Sequence, residues 1–359
     1  MTERTGSLLH VMLGKGLGGL EQVFLDYQPI LDDFAQGRGG RCHAVVRKGS
    51  KADVEADKLW PSHLAIPAYS GWDPLTLGAA KAIVRKHAPA MVICHGNRAY
   101  RIFRKVTAKT MTLVAYLHKP SFDVELTRTH YICVADHLGQ LALERGIPAS
   151  RVHVVPNAVP APTLSAKPFS RSGEPLRLVA AGRLHPKKGF DTLLRALAIV
   201  RQQAGSGALV CEIAGEGDER ARLEVLIADL KLQDMARLVG WKSDLAPFFA
   251  GADLFAFPSL QEGFPLVLLE ALGAGLPVVA SAIAGTDEII RDGETGRLVP
   301  PSDPQALAGA ILELIGDPER AKAMGAAGRQ SALDEFGVER HRVRLLNALA
   351  AAMDERRDG

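Results

Sequence analysis

Short apolar runs alternate with amphipathic stretches across almost the whole sequence, and this alternation limits the fold more than any other feature. The run Asp253–Pro258 (DLFAFP) is continuously apolar after its first residue, which is typical of a parallel strand buried on both faces. The stretch Leu20–Phe34 instead carries apolar residues at helical spacing. Repetition of strand and helix in this way predicts an α/β fold, with parallel sheets covered by helices on both faces.

The length of 359 residues suits two such domains of roughly 150–180 residues each. Residues 157–174 are rich in Pro, Ser and Ala without periodicity, which indicates a linker. We expect one domain over residues 1–165 and a second over 166–335, with 336–359 forming a C-terminal helix that crosses back toward the first domain. Ligands of open α/β sheets bind beyond the carboxyl ends of the strands, so two facing domains would form one cleft.

Composition and charge exclude several classes of protein. No apolar run approaches the ~20 residues of a membrane span, and the polar start Met1–Ser7 does not match a signal peptide. The four cysteines form no Cys-x-x-Cys pair, so buried thiols in a reducing cytoplasm are expected rather than disulfides or a metal site. Residues 1–165 carry a net charge of about +7 and residues 166–359 about −4, which favours an anionic partner for the first half.

Two carboxylates mark the stretch from Gln261 to Ser281 (QEGFPLVLLEALGAGLPVVAS). Glu262 lies on a turn after a predicted strand, and Glu270 lies inside the helix that is predicted to begin at Leu266. The free N–H groups of a helix N-terminus attract anions, so carboxylates beside one suit the hydroxyl groups of a sugar or ribose better than a phosphate. On this pattern alone, a helix cap at Glu262 and a solvated Glu270 fit equally well.

Two cations lie on another predicted strand-to-helix loop. Arg183 and Lys188 follow the predicted strand Leu176–Ala181, and fixed cations beside a helix N-terminus suit a diphosphate, although either is also compatible with a solvated surface residue. A diphosphate flanked by hydroxyl-bearing rings is a nucleotide-sugar.

At this point the sequence resembles a known family, the family-4 retaining glycosyltransferases of GT-B fold, of the bacterial surface-polysaccharide or lipopolysaccharide-core type. The resemblance in the second half covers residues 176 to about 300 and rests on Gly182-Arg183-Leu184 with Lys188-Gly189 (GRL-x3-KG), Ala214–Gly217, Glu262 and Glu270 (E-x7-E), and Asp287–Ile290 with Asp292, Gly293 and Gly296. In the first half it rests on Gly18-Gly19-Leu20-Glu21 (GG-x-E) and on Pro156–Val159, which has Ala158 where the family has Gly. The resemblance implies two Rossmann-like domains, the first binding the acceptor and the second the sugar donor.

The resemblance also implies roles for individual residues. Arg183 and Lys188 would hold the donor diphosphate and neutralise the leaving group. Glu262, with the backbone N–H groups of Gly263 and Phe264, would bind the sugar hydroxyls, and Glu270 would bind the ribose. The N–H groups of Leu266 and Val267 would bind phosphate, and Gly240 and Trp241 would lie near the base. Gly18 and Gly19 lack a Cβ, so their backbone could approach the diphosphate.

His118 matches a histidine that the family often carries near the reacting carbon, which adds it to Arg183, Lys188 and Glu262 as a catalytic candidate, although a lone His is more often structural. His95, Arg98 and Arg101 are assigned to the acceptor side. Arg98 opens a basic helix that is predicted to reach Lys109, and this helix suits either a solvated face or contact with an anionic lipid or lipid-linked saccharide. Nucleic acid is disfavoured because no aromatic stacking platform accompanies the charges.

Other functions compete with this one. The glycines from Gly14 to Gly19 superficially fit a dinucleotide-binding oxidoreductase, but no acidic residue ends a second strand ~20 residues later, and no Gly-Lys-Ser/Thr follows as in a P-loop. A GT-B sugar-nucleotide epimerase and a non-catalytic subunit that binds nucleotide-sugar remain as alternatives.

The expected protein is therefore a cytoplasmic glycosyltransferase, with peripheral contact to the inner face of the membrane as a further expectation. A UDP-sugar is favoured over a GDP-sugar as its co-substrate, and a saccharide or lipid-linked saccharide as its acceptor. We expect no metal cofactor, because no Asp-x-Asp lies at a strand end and the two cations supply the charge.

Overall fold

The computed structural model describes residues 6–16, 18–69, 73–159, 164–166, 168–169, 174–205 and 207–355. The chain divides into two compact units, unit 1 with residues 1–157 and 341–359 and unit 2 with residues 158–340. The predicted division after residue 165 lies eight residues later than the first of these boundaries, and the predicted division after residue 335 lies five residues earlier than the second. Much of the predicted linker, and Leu17 of the glycine-rich loop, lie outside the described residues.

Specific contacts explain where the chain changes unit. Asn157 still belongs to unit 1, where its Oδ1 accepts a hydrogen bond of 3.3 Å from the hydroxyl of Tyr27. Two residues later the N–H of Val159 donates to the carbonyl of Phe336 at 2.7 Å, and both residues belong to unit 2. The C-terminal residues return to unit 1, where buried His341 hydrogen-bonds the carbonyl of Pro156 at 2.8 Å and stacks on Tyr27.

Unit 1 contains a parallel sheet of seven strands in the order β3-β2-β1-β4-β5-β6-β7. Its elements are β1 (Leu8–Met12), α1 (Gly19–Gln36), β2 (Cys42–Arg47), α2 (Lys51–Leu59), β3 (Leu64–Ile66), α3 (Pro74–His87), β4 (Met91–His95), α4 (Gly96–Val106), β5 (Thr112–Leu117), β6 (Thr129–Cys133), α5 (Asp136–Glu144) and β7 (Val152–Val154). The strand order reverses direction between β1 and β4.

Unit 2 contains a parallel sheet of six strands in the order β10-β9-β8-β11-β12-β13. Its elements are β8 (Leu176–Ala181), α6 (Phe190–Ala204), β9 (Leu209–Ala214), α7 (Arg220–Asp229), β10 (Ala236–Gly240), α8 (Ala246–Ala250), β11 (Leu254–Phe257), α9 (Leu266–Gly273), β12 (Val278–Ser281), β13 (Arg297–Val299), α10 (Pro304–Gly316) and α11 (Pro318–Phe336); α12 (Val338–Asp354) follows and lies mainly in unit 1. Here the order reverses between β8 and β11.

The α/β class with two parallel sheets is as predicted. The central strands β1, β4, β5 and β11 are buried along their full length, because helices cover both faces of each sheet. Two helices were not predicted: α8 has only five residues, and α2 buries only Ala52 and Ala56. Among the described helices, none combines the length and the apolar character that a membrane crossing requires.

Candidate functional site

The loops that follow β8 and β11 form the first part of the candidate site, in unit 2. These strands are neighbours at the point where the strand order reverses, and in open α/β sheets ligands bind beyond the carboxyl ends of the strands at such a point. The loop after β8 carries Arg183 and Lys188, and the loop after β11 carries Glu262. Parallel pairing of the two strands therefore brings together residues that are far apart in the sequence.

The loop after β8 is shaped by a single short turn. A 3-10 turn covers Pro186–Lys188, and the ring of His185 accepts a hydrogen bond from the backbone N–H of Lys187 at 3.2 Å. Gly189 follows with φ of +63°, and a Cβ there would lie 2.0 Å from the carbonyl oxygen of Pro258. Because only glycine fits this close approach, the turn ends against the neighbouring strand and presents Lys188 beside it.

A second close approach at a glycine holds the loops after β8 and β9 together. Gly215 has φ of +149°, and a Cβ on it would lie 1.8 Å from the carbonyl oxygen of Gly182. Backbone hydrogen bonds join the same loops, from Gly182 to Ala214 at 2.9 Å and from Leu184 to Glu216 at 3.0 Å. The glycine motif of the sequence thus fixes the shape of the carboxyl edge of this sheet.

Lys188 and Glu262 form an ion pair at this edge. Lys188 Nζ lies 2.6 Å from Glu262 Oε1, and both side chains are largely buried. The ammonium also lies 5.7 Å from the centre of the Phe257 ring. A lysine and a carboxylate held together here offer a cation for a phosphate and an acceptor for a hydroxyl group.

The N-terminus of α9 lies directly after Glu262. Pro265 precedes the first helical residue, Leu266, and in the part of the chain that the structure describes the N–H groups of Leu266 and Val267 have no hydrogen-bond partner. The side chain of Phe264 is buried against Phe336. Glu270 lies one turn into the helix and is half-buried.

Other predicted donor-binding residues of unit 2 are more exposed. Arg183 is exposed and makes no ion pair or hydrogen bond to any described residue. Gly240 ends β10, has φ of +78° and accepts a hydrogen bond from the N–H of Gly215 at 2.8 Å. Trp241 is 59% exposed and lines an open cavity of 480 Å³ together with Lys242 and Phe248. These residues follow β8 and β10, so with the loop after β11 the candidate site extends over four of the six strand ends, from β10 to β11.

Unit 1 has its own reversal point, between β1 and β4, and the predicted residues of this half lie on the loops around it. Gly18 is the N-cap of α1, and its N–H donates to Oε2 of Glu21 at 3.0 Å. A Cβ at Gly14 would lie 2.1 Å from Oε1 of the same carboxylate. Glu21 therefore holds the glycine-rich loop and the first turn of α1, which begins at Gly19.

Three histidines form a hydrogen-bonded row at this point. His10 Nε2 lies 2.8 Å from His95 Nε2, and His95 Nδ1 lies 3.2 Å from His118 Nε2. The ring of Tyr116 stacks on both His95 and His118. His10 and His95 are fully buried, so His118, which is half-buried, is the member of the row nearest to solvent. His95 contributes to this edge through His118 rather than by an exposed surface of its own.

All three rings are held neutral. Burial lowers the pKa of His10 to about 3 and that of His118 to about 3, because an imidazolium loses its hydration inside the protein. Burial, together with the neighbouring rings of His10 and His118, lowers the pKa of His95 well below its ordinary value. At neutral pH each ring therefore has one N–H and one lone pair.

The basic helix is shorter than predicted. Helix α4 begins at Gly96 and ends at Val106, and Lys109 lies beyond it on a turn because the backbone of Thr107 is extended. Arg98 donates to the carbonyl of Leu13 at 3.4 Å, and Arg101 forms a two-point ion pair with Asp123 at 2.5 and 2.8 Å. The Arg101 guanidinium lowers the pKa of Asp123. Arg101, Arg104 and Lys105 line an open cavity of 620 Å³ with Phe122 and Asp123.

The sequence pattern does not indicate the roles of three residues in this part of unit 1. Glu21 belongs to the GG-x-E motif without an assigned role, and His10 and Gln28 lie inside β1 and α1. A polar His10 within the apolar strand LLHVM was the available signal, since a buried polar residue requires a partner. Among the described residues, no group of three His, Cys, Asp or Glu side chains is arranged to hold a metal ion.

Comparison with known protein families gives a match over the second half of the chain. Residues 164–331 match the family described as Glycosyl transferases group 1. This segment belongs to that family. The family match contains all of the predicted site residues of unit 2, from Arg183 to Glu270.

Curated relatives fall into two groups by the length that they share with the chain. The amylovoran biosynthesis glycosyltransferase AmsK of Erwinia amylovora is 36% identical over 177 residues, which are 47% of this chain and 43% of the relative, so the chain spans less than half of that protein. The lipopolysaccharide core biosynthesis glycosyltransferase LpsE of Rhizobium meliloti is 26% identical over 95% of this chain and 98% of its own length.

A third relative is similar over most of both chains. It is the GDP-mannose-dependent alpha-(1-6)-phosphatidylinositol monomannoside mannosyltransferase of Mycobacterium tuberculosis, which is 28% identical over 90% of this chain and 88% of its own length. Among solved structures, Anabaena HepE in complex with UDP and glucose matches with a TM-score of 0.83 and 19% identity, over 96% of this chain and 99% of the other. The fold is GT-B, as the resemblance implied.

Proposed function

We propose that the chain is a retaining glycosyltransferase that moves a sugar from a nucleotide-diphosphate sugar to a hydroxyl group of a saccharide or lipid-linked saccharide. The observation that carries this proposal is the Lys188–Glu262 pair at the strand-order reversal of a glycosyl transferases group 1 domain. The names of the relatives support the same reaction class, since AmsK and LpsE are described as glycosyltransferases.

Each part of the donor has a counterpart in this site. The diphosphate lies between Lys188, Arg183 and the N–H groups of Leu266 and Val267, because cations and a helix N-terminus both favour negative charge. The sugar hydroxyls contact Glu262, and the ribose hydroxyls contact Glu270. The base lies near Gly240 and Trp241. On donor binding, Lys188 exchanges part of its contact with Glu262 for the phosphate oxygens.

Retention of configuration follows from attack on the face that the phosphate leaves. The acceptor hydroxyl approaches the anomeric carbon on that face, the bond from this carbon to the phosphate oxygen breaks, and the departing phosphate takes the proton of the hydroxyl. Such a reaction depends on stabilising the leaving group rather than on a protein nucleophile. Arg183 and Lys188 supply that stabilisation in this proposal.

The two cations also make the reaction independent of metal ions. We expect turnover to stay the same within experimental error when a chelator is added in excess, because no divalent ion is needed to neutralise the diphosphate. The measurement is the initial rate of transfer with and without the chelator, followed by readdition of Mg²⁺ or Mn²⁺. Loss of activity that either ion restores would contradict this part of the proposal.

UDP is proposed as the nucleotide, and a panel of nucleotide-sugars tests the choice. HepE is described in complex with UDP and glucose, whereas the mycobacterial relative is described as GDP-mannose-dependent, so both bases belong in the panel. A ligand that binds only the folded state raises stability by about 2.7 kcal/mol at 100 times its Kd. We expect UDP-sugars to raise Tm more than GDP-sugars, and the reverse order would overturn the assignment of the base.

Lipopolysaccharide or another cell-surface polysaccharide is the proposed acceptor, built at the cytoplasmic face of the membrane. The cavity beside Arg101, Arg104 and Lys105 supports an anionic group on the acceptor or an anionic membrane surface, since it carries three cations against one carboxylate. The name of LpsE supports the lipopolysaccharide core in particular.

A non-catalytic subunit is the alternative of a different class, and an epimerase is the alternative enzyme. Slow release of UDP from a UDP-sugar in the absence of acceptor would argue against the non-catalytic subunit, because a binding protein leaves the sugar–phosphate bond intact. Conversion of one UDP-sugar into another at the same total concentration would indicate the epimerase. Transfer to a saccharide acceptor with release of UDP supports the proposed reaction over both.

A further inference from the structure

The row of three histidines in unit 1 continues inward to a fourth side chain, Gln28 of α1. Gln28 Oε1 lies 2.8 Å from His10 Nδ1, and Gln28 is 4% exposed. The row therefore runs from Gln28 through His10 and His95 to His118 without a gap. It contains no carboxylate, so each of its bonds is a bond between neutral groups.

The orientation of the Gln28 amide is set by its other contact. Gln28 Nε2 lies 3.0 Å from the carbonyl oxygen of Cys42, which can only accept a hydrogen bond. The amide nitrogen must therefore face Cys42, and the amide oxygen must face His10. Since that oxygen can only accept, His10 carries its proton on Nδ1.

The remaining protons follow one after another. With its proton on Nδ1, a neutral His10 has its lone pair on Nε2, so His95 must donate from its own Nε2. His95 then has its lone pair on Nδ1, so His118 must donate from Nε2. The Nδ1 of His118 is left with a lone pair, and it has no hydrogen-bond partner among the described residues.

We infer that Gln28, His10 and His95 are positioning residues that hold His118 in its Nε2–H form, so that His118 presents a hydrogen-bond acceptor at the open end of the row. The opposite form would present an N–H at the same place. The row thus determines whether His118 receives a hydrogen bond from a substrate hydroxyl group or donates one to a substrate oxygen. This role in the reaction rests on the proposed function, whereas the proton positions do not.

Replacing Gln28 by Leu is expected to remove the preference of the row for one form. The Nδ1 of His10 would then face an apolar side chain, where neither its N–H nor its lone pair has a partner. The opposite form, with the proton on Nε2 of His10 and on Nδ1 of His95 and His118, should therefore become populated beside the wild-type form.

Nitrogen-15 NMR of the histidine side chains tests these positions directly. In the wild-type protein we expect the proton on Nδ1 of His10 and on Nε2 of both His95 and His118, and in Gln28→Leu we expect all three rings to populate the opposite form as well. Gln28→Glu with its carboxyl group protonated keeps an acceptor opposite His10 and a donor opposite the carbonyl of Cys42, so it should retain the wild-type pattern. Gln36→Leu, on the exposed face of the same helix, is the matched control. A wild-type His118 with its proton on Nδ1 would overturn the inference, even if no variant folds.

Steady-state kinetics test the role in the reaction. We expect Gln28→Leu to lower kcat in proportion to the population of the opposite form, about twofold when the two forms are equally populated, while the affinity for the sugar donor's nucleotide stays unchanged. We expect Gln28→Glu to restore kcat. A mixed population of the two forms with unchanged kcat would refute the positioning role. A wild-type protein that transfers no sugar would refute the proposed function instead, and the NMR result would still decide the proton positions.

Discussion

At the scale of single residues, the Lys188–Glu262 pair concentrates the chemistry of unit 2. The two side chains are adjacent only because β8 and β11 are neighbours in the sheet, since 74 positions separate them in the sequence. Removing either residue would leave the other as a largely buried charge without its partner, which is costly. The pair therefore holds both side chains in place when no donor is bound.

Removing the Lys188 side chain should lower turnover strongly. We expect Lys188→Ala to reduce kcat about 100-fold, because the leaving phosphate loses a fixed cation, in the manner of a lost oxyanion donor. Lys187→Ala is the matched control: Lys187 is adjacent and exposed, and its Nζ contacts Gln261 instead, at 2.7 Å. Near-normal turnover in Lys188→Ala, or an equal loss in both variants, would refute the role of Lys188.

At the scale of elements, close contacts between loops shape the sheet edge of unit 2. The loop after β9 approaches the loop after β8 so closely that Gly215 has no room for a Cβ. The turn before α6 approaches the end of β11 in the same way through Gly189. These contacts transmit the position of one strand to the next, and together they place Lys188 at the edge of the sheet.

A methyl group at Gly215 should disrupt that arrangement. We expect Gly215→Ala to lower the free energy of unfolding by about 2–4 kcal/mol, because the Cβ meets the Gly182 carbonyl and the backbone conformation is unfavourable for alanine. Gly207 has open space around it, so Gly207→Ala should change the free energy of unfolding by less than about 0.5 kcal/mol. Urea denaturation measures both variants, and equal midpoints for Gly215→Ala and wild type would contradict the steric argument.

At the scale of the whole molecule, buried histidines make unit 1 sensitive to acid. Besides His10, His95 and His118, burial lowers the pKa of His130 to about 4 and that of His341 to about 4. The unfolded chain takes up protons at these residues near pH 6.5, whereas the folded chain does so at His10, His118, His130 and His341 only near pH 3–4. Stability is therefore fully present above pH 6.5 and decreases as the pH falls toward 4.

Comparison of wild type with a His10 variant isolates one part of this effect. A single fully buried imidazole such as His10, whose pKa falls to about 3, accounts for about 3 kcal/mol of unfolding free energy between pH 6.5 and pH 4. We expect His10→Phe to show a shallower decrease than wild type when unfolding is measured by denaturant over this range. Parallel curves for the two proteins would show that folding does not lower the pKa of His10.

The secondary structure and the family resemblance could largely be predicted from local sequence. The strand Leu176–Ala181 begins and ends where the sequence predicts, and the predicted strand Asp253–Pro258 and helix Leu20–Phe34 correspond to β11 and α1 within one or two residues at each end. Apolar runs and helical periodicity are properties of neighbouring residues, so they can be interpreted without the fold. The motifs around Arg183, Lys188 and Glu262 likewise indicated a nucleotide-sugar site before any contact was known.

The contacts that connect these residues were decided by the tertiary structure alone. His10 and His95 are 85 positions apart and meet only because β1 and β4 pair at the strand-order reversal of unit 1. The proton positions of the histidine row depend in turn on the carbonyl of Cys42, a backbone group whose place no side-chain pattern reveals. The sequence by itself determined which chemical groups line each sheet edge, whereas strand order determined which of them touch and in which protonation form they do so.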